Sequence, residues 1–143
     1  MRIERILSGD AVLAAAELFD APPIPAATER FLAQPGHHLL FAYDDDGRPV
    51  GMISGVEMTH PDKGTEMFVY ELGVAPVARL QGVGTALVRA LAEVARERGC
   101  YGMWVGTEVD NEAAQATYRR AGATEATPFV LLNWDLIAGD QPS

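Results

Sequence analysis

The segment that most constrains this chain lies near its middle, where a strand-like run changes into a helical one across two glycines. Glu66 to Val74 reads as a strand closed by Pro76, and beyond Gly82-Val83-Gly84 the apolar period changes. Val83, Ala86, Leu87, Ala90, Leu91, Val94 and Ala95 recur at helical spacing, with Arg89, Glu93, Arg96 and Glu97 on the other face. Gly99 marks the end of that helix, and Tyr101 to Thr107 reads as the next strand. This half of the chain therefore reads as βαβ units.

The first half has a different character. Arg2 to Leu7 is a short opening strand, and Ser8-Gly9-Asp10 offers capping oxygens for a helix running to Phe19. The prolines of Pro22-Pro23-Ile24-Pro25 end that helix, because proline cannot continue the hydrogen-bond ladder. Thr28 is expected to cap a shorter helix to about Gln34, stopped by Pro35-Gly36. His38 to Tyr43 and Val50 to Met58 flank the turn Asp44 to Pro49 and make a hairpin, followed by a loop from Thr59 to Thr65. After Thr107, Asn111 to Ala121 is a helix ended by Gly122, Thr127 to Leu136 is expected to close as a strand, and Ala138 to Ser143 is a tail. The order is βααβββαβαβ, an α+β arrangement with a central mixed sheet flanked by helices. At 143 residues, without linker or repeat, 1–143 is expected to form one domain.

Charge narrows the partners. Twenty acidic residues against eleven Lys+Arg give a formal charge of −9, which argues against nucleic acid, since phosphate neutralisation needs a basic face. The balance suits a cationic partner, or simply an acidic surface. Cys100 is the sole cysteine, so no intramolecular disulfide forms, and it reads as a core thiol. Met1-Arg2-Ile3-Glu4-Arg5 places an acid where a signal peptide carries its apolar core, and the apolar stretch Ala11 to Ala16 is too short to span a bilayer. The expectation is a cytoplasmic protein without a membrane partner.

The glycine segment also carries chemistry. N–H groups at a helix start lack partners, the helix dipole adds positive potential, and Arg79 contributes a fixed charge. Leu80-Gln81-Gly82-Val83-Gly84-Thr85 is therefore an anion cradle in which glycine lets a phosphate approach the main chain. A tight turn before a helix has the same pattern. The Gly-Lys-Ser/Thr signature of a P-loop is absent. A dinucleotide fingerprint would follow an early strand, whereas this loop falls halfway along.

On these residues the chain resembles the GNAT superfamily of acetyl-CoA-dependent N-acetyltransferases. The motif Arg/Gln-x-x-Gly-x-Gly/Ala is met by Arg79, Gly82 and Gly84, after Val74 and Pro76. A second pattern, Asn-x-x-Ala followed by Tyr and Gly, is met by Asn111, Ala114, Tyr118 and Gly122. Leu80 stands where glycine is common, and Ala123 where phenylalanine usually follows the last glycine. The resemblance implies that pantetheine pairs with Leu72, Gly73 and Val74, and that the pyrophosphate lies on the amides of Arg79 to Thr85. It further implies that Asn111 bonds the pantetheine region and that Tyr118 stands near the thioester sulfur.

Attack of an amine on a thioester needs an oxyanion donor, a proton for the departing thiolate and a base. A backbone N–H near Val74 suits the first and Tyr118 the second, while Glu71 and then Glu108 suit the third. The bland alternative for Tyr118 is an amphipathic core residue, and for Glu71 a solvated strand residue on the same face as Gly73. Glu71, Glu108, Asp110 and Asp135 are candidate carboxylates for a small cationic amine. Solvated loop acids and a helix N-terminus explain Glu108, Asp110 and Glu112 as well.

From Phe31 to Leu136 the chain is most similar to the short aminoglycoside 3-N-acetyltransferases. The shared features are Phe31-Leu32-x-x-Pro35, His38-Leu39-Leu40, Tyr70-Glu71-Leu72-x-Val74, Glu108 ahead of Ala114-x-Ala116-x-Tyr118, and Trp134-Asp135. That similarity implies acetyl transfer from acetyl-CoA to the 3-amino group of an aminoglycoside, and antibiotic resistance. A polyamine, small metabolite or protein amine is the alternative acceptor, and a non-catalytic acyl-CoA-binding module the alternative class. A homodimer is common for the fold the resemblance implies. No metal site is expected: Asp44-Asp45-Asp46-Gly47 reads as a hairpin turn, and His37, His38 and His60 lack ligand spacing.

Overall fold

The computed structural model describes residues 1–137, so the expected tail Ala138 to Ser143 lies outside the described residues. Five strands form one sheet: β1 (Arg2–Arg5), β2 (His37–Tyr43), β3 (Pro49–His60), β4 (Gly64–Val74) and β5 (Met103–Val105). They lie in chain order, antiparallel from β1 to β4, with β5 parallel to β4. Helices α1 (Gly9–Ala14) and α2 (Pro25–Ala33) belong to the first half, α3 (Val83–Glu97) and α4 (Glu112–Arg120) to the second. The α+β architecture and mixed sheet agree with the sequence expectation, and β4–α3–β5 is the expected βαβ unit.

Period decides which face each element buries. From α3, Val83, Leu87, Val88, Leu91 and Ala95 are buried against Leu40, Ala42, Ile53, Met67 and Val69 of the sheet. Gly51 and Gly55 allow this approach: a Cβ on either would stand 2.8–2.9 Å from side chains of Val83, Leu87, Leu91 or Met67. The opposite face buries Leu39, Phe41 and Met52 with Ile6, Val12 and Ala15, over which Leu18, Phe19 and Phe31 pack.

One end of the sheet is locked by a polar clasp. His38 is fully buried and its Nε2 lies 2.7 Å from Glu57 Oε2, which also accepts from Arg98 Nε at 2.9 Å. Burial lowers the His38 pKa despite the bond to Glu57, so the imidazole is neutral at pH 7. Burial alone would raise Glu57, but the bonds and charges of His38 and Arg98 outweigh it and hold the carboxyl below its usual range.

Several local expectations need correction. The first helix stops at Ala14, followed by a 3-10 turn at Ala16–Leu18. Thr28 does not cap α2; Pro25 occupies its first turn after Ile24, where a missing N–H costs no helix bond. Thr127 to Leu136 is not a strand: 124–137 are exposed, and none of them joins the sheet. The physical reason is pattern. Phe129-Val130-Leu131-Leu132 is a continuous apolar run that needs cover on both faces, whereas β5 offers an edge of three ladder residues, and Pro128 lacks an N–H.

Candidate active site at the open end of the sheet

The site begins with a slip in strand register. Val69 pairs with Gly55 and Glu71 with Ser54, leaving Tyr70 as the extra residue of a β-bulge. Met67 and Val69 before the bulge, and Leu72 and Val74 after it, all pack on the α3 side. Tyr70 and Glu71 therefore stand together on the opposite face although they are consecutive in sequence. Gly73 shares that face: its Cβ would lie 2.8 Å from the Leu18 carbonyl oxygen. The missing side chain lets the 3-10 turn after α1 sit directly on β4.

That approach delivers a residue the sequence reading missed. Asp20, just past the turn, is near enough to Glu71 for its charge to act on that carboxyl. Burial first, and then the Asp20 charge, raises the Glu71 pKa above the usual carboxylate range. No spacing pattern links residues 20 and 71. Only Gly73, as a close-approach glycine inside a strand, offered a signal.

The backbone after the bulge is equally specific. Ala75 N–H donates to the Val50 carbonyl at 2.8 Å, so Val74 and its partner Gly51 exchange no hydrogen bonds. The Val74 N–H and C=O consequently face away from β3, as by alternation do those of Leu72. The last ladder pair between β4 and β5 is Val69 with Val105, so these groups face the gap where β5 has left the sheet. The Val74 carbonyl accepts from Arg79 Nε at 3.3 Å.

The loop into α3 has open amides. Gly82 is its N-cap with φ 81°, and nothing lies within 4 Å of where its Cβ would stand. The Ala86 N–H bonds to the Gly82 carbonyl at 3.0 Å, so the N–H groups of Val83, Gly84 and Thr85 precede the first helical bond. The first turn of α3 holds no acidic residue. Leu80 is exposed with φ 63°, the left-handed conformation for which glycine is suited. Gln81 turns its amide to the Val77 carbonyl at 3.2 Å. Bare amides at a helix dipole, an outward glycine and Arg79 nearby fit the phosphates of a coenzyme A molecule. Gly84 has an additional task, since its Cβ would meet Thr117 of α4 at 3.3 Å.

On α4, Tyr118 is half-buried against the main core, and burial raises its phenol pKa, so the hydroxyl keeps its proton at neutral pH. Asn111 caps α4, its Oδ1 accepting from Ala114 N–H at 3.0 Å, a structural task that leaves its side-chain NH2 as a donor. Glu108 and Asp110 are exposed in the turn between β5 and α4, and the Glu108 carbonyl accepts from Asn111 N–H at 3.1 Å. Asp135 lies on the exposed C-terminal segment, where its carboxylate accepts from Ile137 N–H at 3.2 Å; the expected strand that would have carried it to the site is not formed. No helix among the described residues is long and apolar enough to cross a membrane.

Comparison with known proteins agrees with this geometry. Residues 6–123 match the acetyltransferase (GNAT) family. N-alpha-acetyltransferase RimI of Mycobacterium tuberculosis is 38% identical over 111 residues, covering 75% of this chain and 66% of that protein. The aminoglycoside N(6')-acetyltransferase type 1 of Klebsiella aerogenes is 34% identical over 90 residues, 61% of this chain and 59% of that protein. Mycothiol acetyltransferase of Clavibacter sepedonicus is 39% identical over 88 residues, but they are only 27% of its length. The chain thus spans between about a quarter and two thirds of these relatives. Among solved structures, an aminoglycoside acetyltransferase from an uncultured soil metagenomic sample superposes with TM-score 0.84 at 20% identity, covering 94% of this chain and 95% of that one. AAC(6')-Iy, in complex with the bisubstrate analog CoA-S-monomethyl-acetylneamine, gives 0.78 at 18% identity, with 94% and 99% covered. With the family match spanning most of the chain, from α1 through α4, this protein belongs to the acetyltransferase (GNAT) family.

Proposed function

We propose that the protein transfers the acetyl group of acetyl-CoA to a primary amine of a cationic acceptor, an aminoglycoside in the first instance. The observation that carries this reading is the step at the bulge. It sets a carboxylate of raised pKa on one face of β4 and turns the Val74 N–H into the gap beside β5. Acetyl-CoA supplies a thioester carbonyl open to attack by an amine.

The chain's own groups divide the remaining work. The amides of Leu80 to Thr85 and the Arg79 guanidinium hold the phosphates, and the strand edge of Leu72 to Val74 pairs with the pantetheine arm. Glu71 takes the proton from the incoming ammonium, directly or through water, and its raised pKa makes it a stronger base than an ordinary carboxylate. The Val74 N–H donates to the developing oxyanion. Tyr118, still protonated, donates to the departing sulfur. Asp20 adds a second negative charge beside Glu71, which suits an acceptor with more than one ammonium group.

The motif similarity points to the 3-amino group, whereas the Klebsiella relative is named for the 6' position. An acceptor screen with aminoglycosides, polyamines and peptides, followed by NMR assignment of the acetylated nitrogen, tests both. Turnover confined to peptides would overturn the aminoglycoside reading in favour of N-terminal acetylation, the alternative favoured by the 38% identity to RimI. Binding of acetyl-CoA without turnover of any amine would instead favour a non-catalytic acyl-CoA module.

A further inference from the structure

The sheet face that carries Glu71 also carries a row of aromatic rings the acetyl transfer does not use. Phe68 and Trp104 are register partners across β4 and β5, their ring centroids 4.5 Å apart with planes inclined by 35°. Tyr70 meets Phe68 edge-on, at 5.5 Å and 61°. Toward β2 the same face is covered, and Phe41 there is fully buried. The row is not: Tyr70 is 70% and Trp104 40% exposed, and none of the three belongs to either core cluster. Phe129 adds a ring beside the residue that follows β5, where a Cβ on Gly106 would meet its Cζ at 3.2 Å.

Scattered exposed apolar residues are ordinary, but a contiguous row ending at a carboxylate is a surface with a direction. The bulge creates it, because without the extra residue Tyr70 and Glu71 would point to opposite faces. A saturated ring presents a broad face of C–H groups that packs flat on an aromatic ring. A linear polyamine has the charges but no such face.

We propose that Phe68, Tyr70 and Trp104 form the platform for the acceptor, holding the C–H face of an amino-sugar ring while Glu71 and Asp20 take its ammonium groups. This rests on the acetyl transfer proposed above and adds the element that selects a ring over a chain.

The test compares Tyr70→Ala with Tyr70→Phe, both at a position too exposed to endanger folding. With kanamycin as acceptor, KM is expected to rise about five-fold in Tyr70→Ala and to stay unchanged in Tyr70→Phe. KM for spermidine and for acetyl-CoA is expected to hold in both variants. Trp104 and Trp134 are the two tryptophans, so Trp134→Phe leaves Trp104 as the only indole emitter. Its fluorescence should respond saturably to kanamycin and not to spermidine. Kanamycin turnover with the same KM in wild type and Tyr70→Ala would overturn the platform alone. Absence of turnover with any amine would overturn the transferase reading. Trp104 emission then decides the platform by itself: a saturable kanamycin response supports it, and a flat titration overturns it.

Discussion

The two ends of helix α3 treat polar groups in opposite ways. Just past its C-terminus, Arg98 and His38 share the Glu57 carboxylate as their partner, although the buried His38 Nδ1 makes no hydrogen bond. At its N-terminus the amides of Val83 to Thr85 precede the first helical bond, Gly82 opens outward and Leu80 holds a left-handed conformation. Across from that end, Glu71 and Asp20 bring carboxylates together instead of pairing them with cations. One end pairs its charged side chains with each other within the fold; the other leaves groups whose best partners are ligands.

Breaking the comparison at the open end has the largest effect on catalysis. Glu71→Gln keeps the shape but removes the proposed base, and kcat is expected to fall about 10²–10⁴-fold while the acetyl-CoA dissociation constant holds. A steady-state assay of thiol release beside calorimetric titration checks it. The same substitution sharpens the energetic side. A carboxyl whose folded pKa is raised binds its proton more tightly in the folded state. Stability therefore falls as pH rises through the window above the usual carboxylate range. Glu71→Gln should accordingly melt higher than wild type at neutral pH, losing activity while gaining stability.

The closed end should behave conversely. Glu57→Ala leaves Arg98 and buried His38 without their shared acceptor and is expected to cost roughly 3 kcal/mol, seen as a lower denaturant midpoint with kcat/KM unchanged. In the wild type the depressed Glu57 pKa contributes stability above the usual carboxylate range, lost as pH falls through the folded value. Gly73→Ala joins the two effects. Its methyl would strike the Leu18 carbonyl, so the turn carrying Asp20 must move, at about 1–3 kcal/mol and with a raised acceptor KM. The smallest effect is expected at Leu80→Gly, where relief of the left-handed conformation, partly offset by chain entropy, raises stability by up to about 1 kcal/mol.

Legibility from sequence followed the same division. The α3 period, the Gly82-x-Gly84 loop and the hairpin of β2 and β3 are local patterns, and the structure has each of them. Leu80, noted as standing in a glycine's place, proves to hold a glycine's backbone angle. Asp20 beside Glu71 was not legible, because it depends on where a proline-terminated turn lands on a strand some fifty residues on. The bulge was not legible either, since one extra residue in a strand leaves no mark on composition. The segment Thr127 to Leu136 was misread because an apolar run tells what its residues can do, and the surrounding structure decides which of those options is used.

Glu71, tuned by burial and by Asp20, is the proposed base of acetyl transfer. The pH dependence of kcat in wild type and Asp20→Asn, with a kanamycin-type acceptor and saturating acetyl-CoA, tests it most directly. The acidic limb of the wild type should lie above the usual carboxylate range and move to lower pH in Asp20→Asn, because the neighbouring negative charge is gone. Superimposable limbs in the two proteins would contradict it.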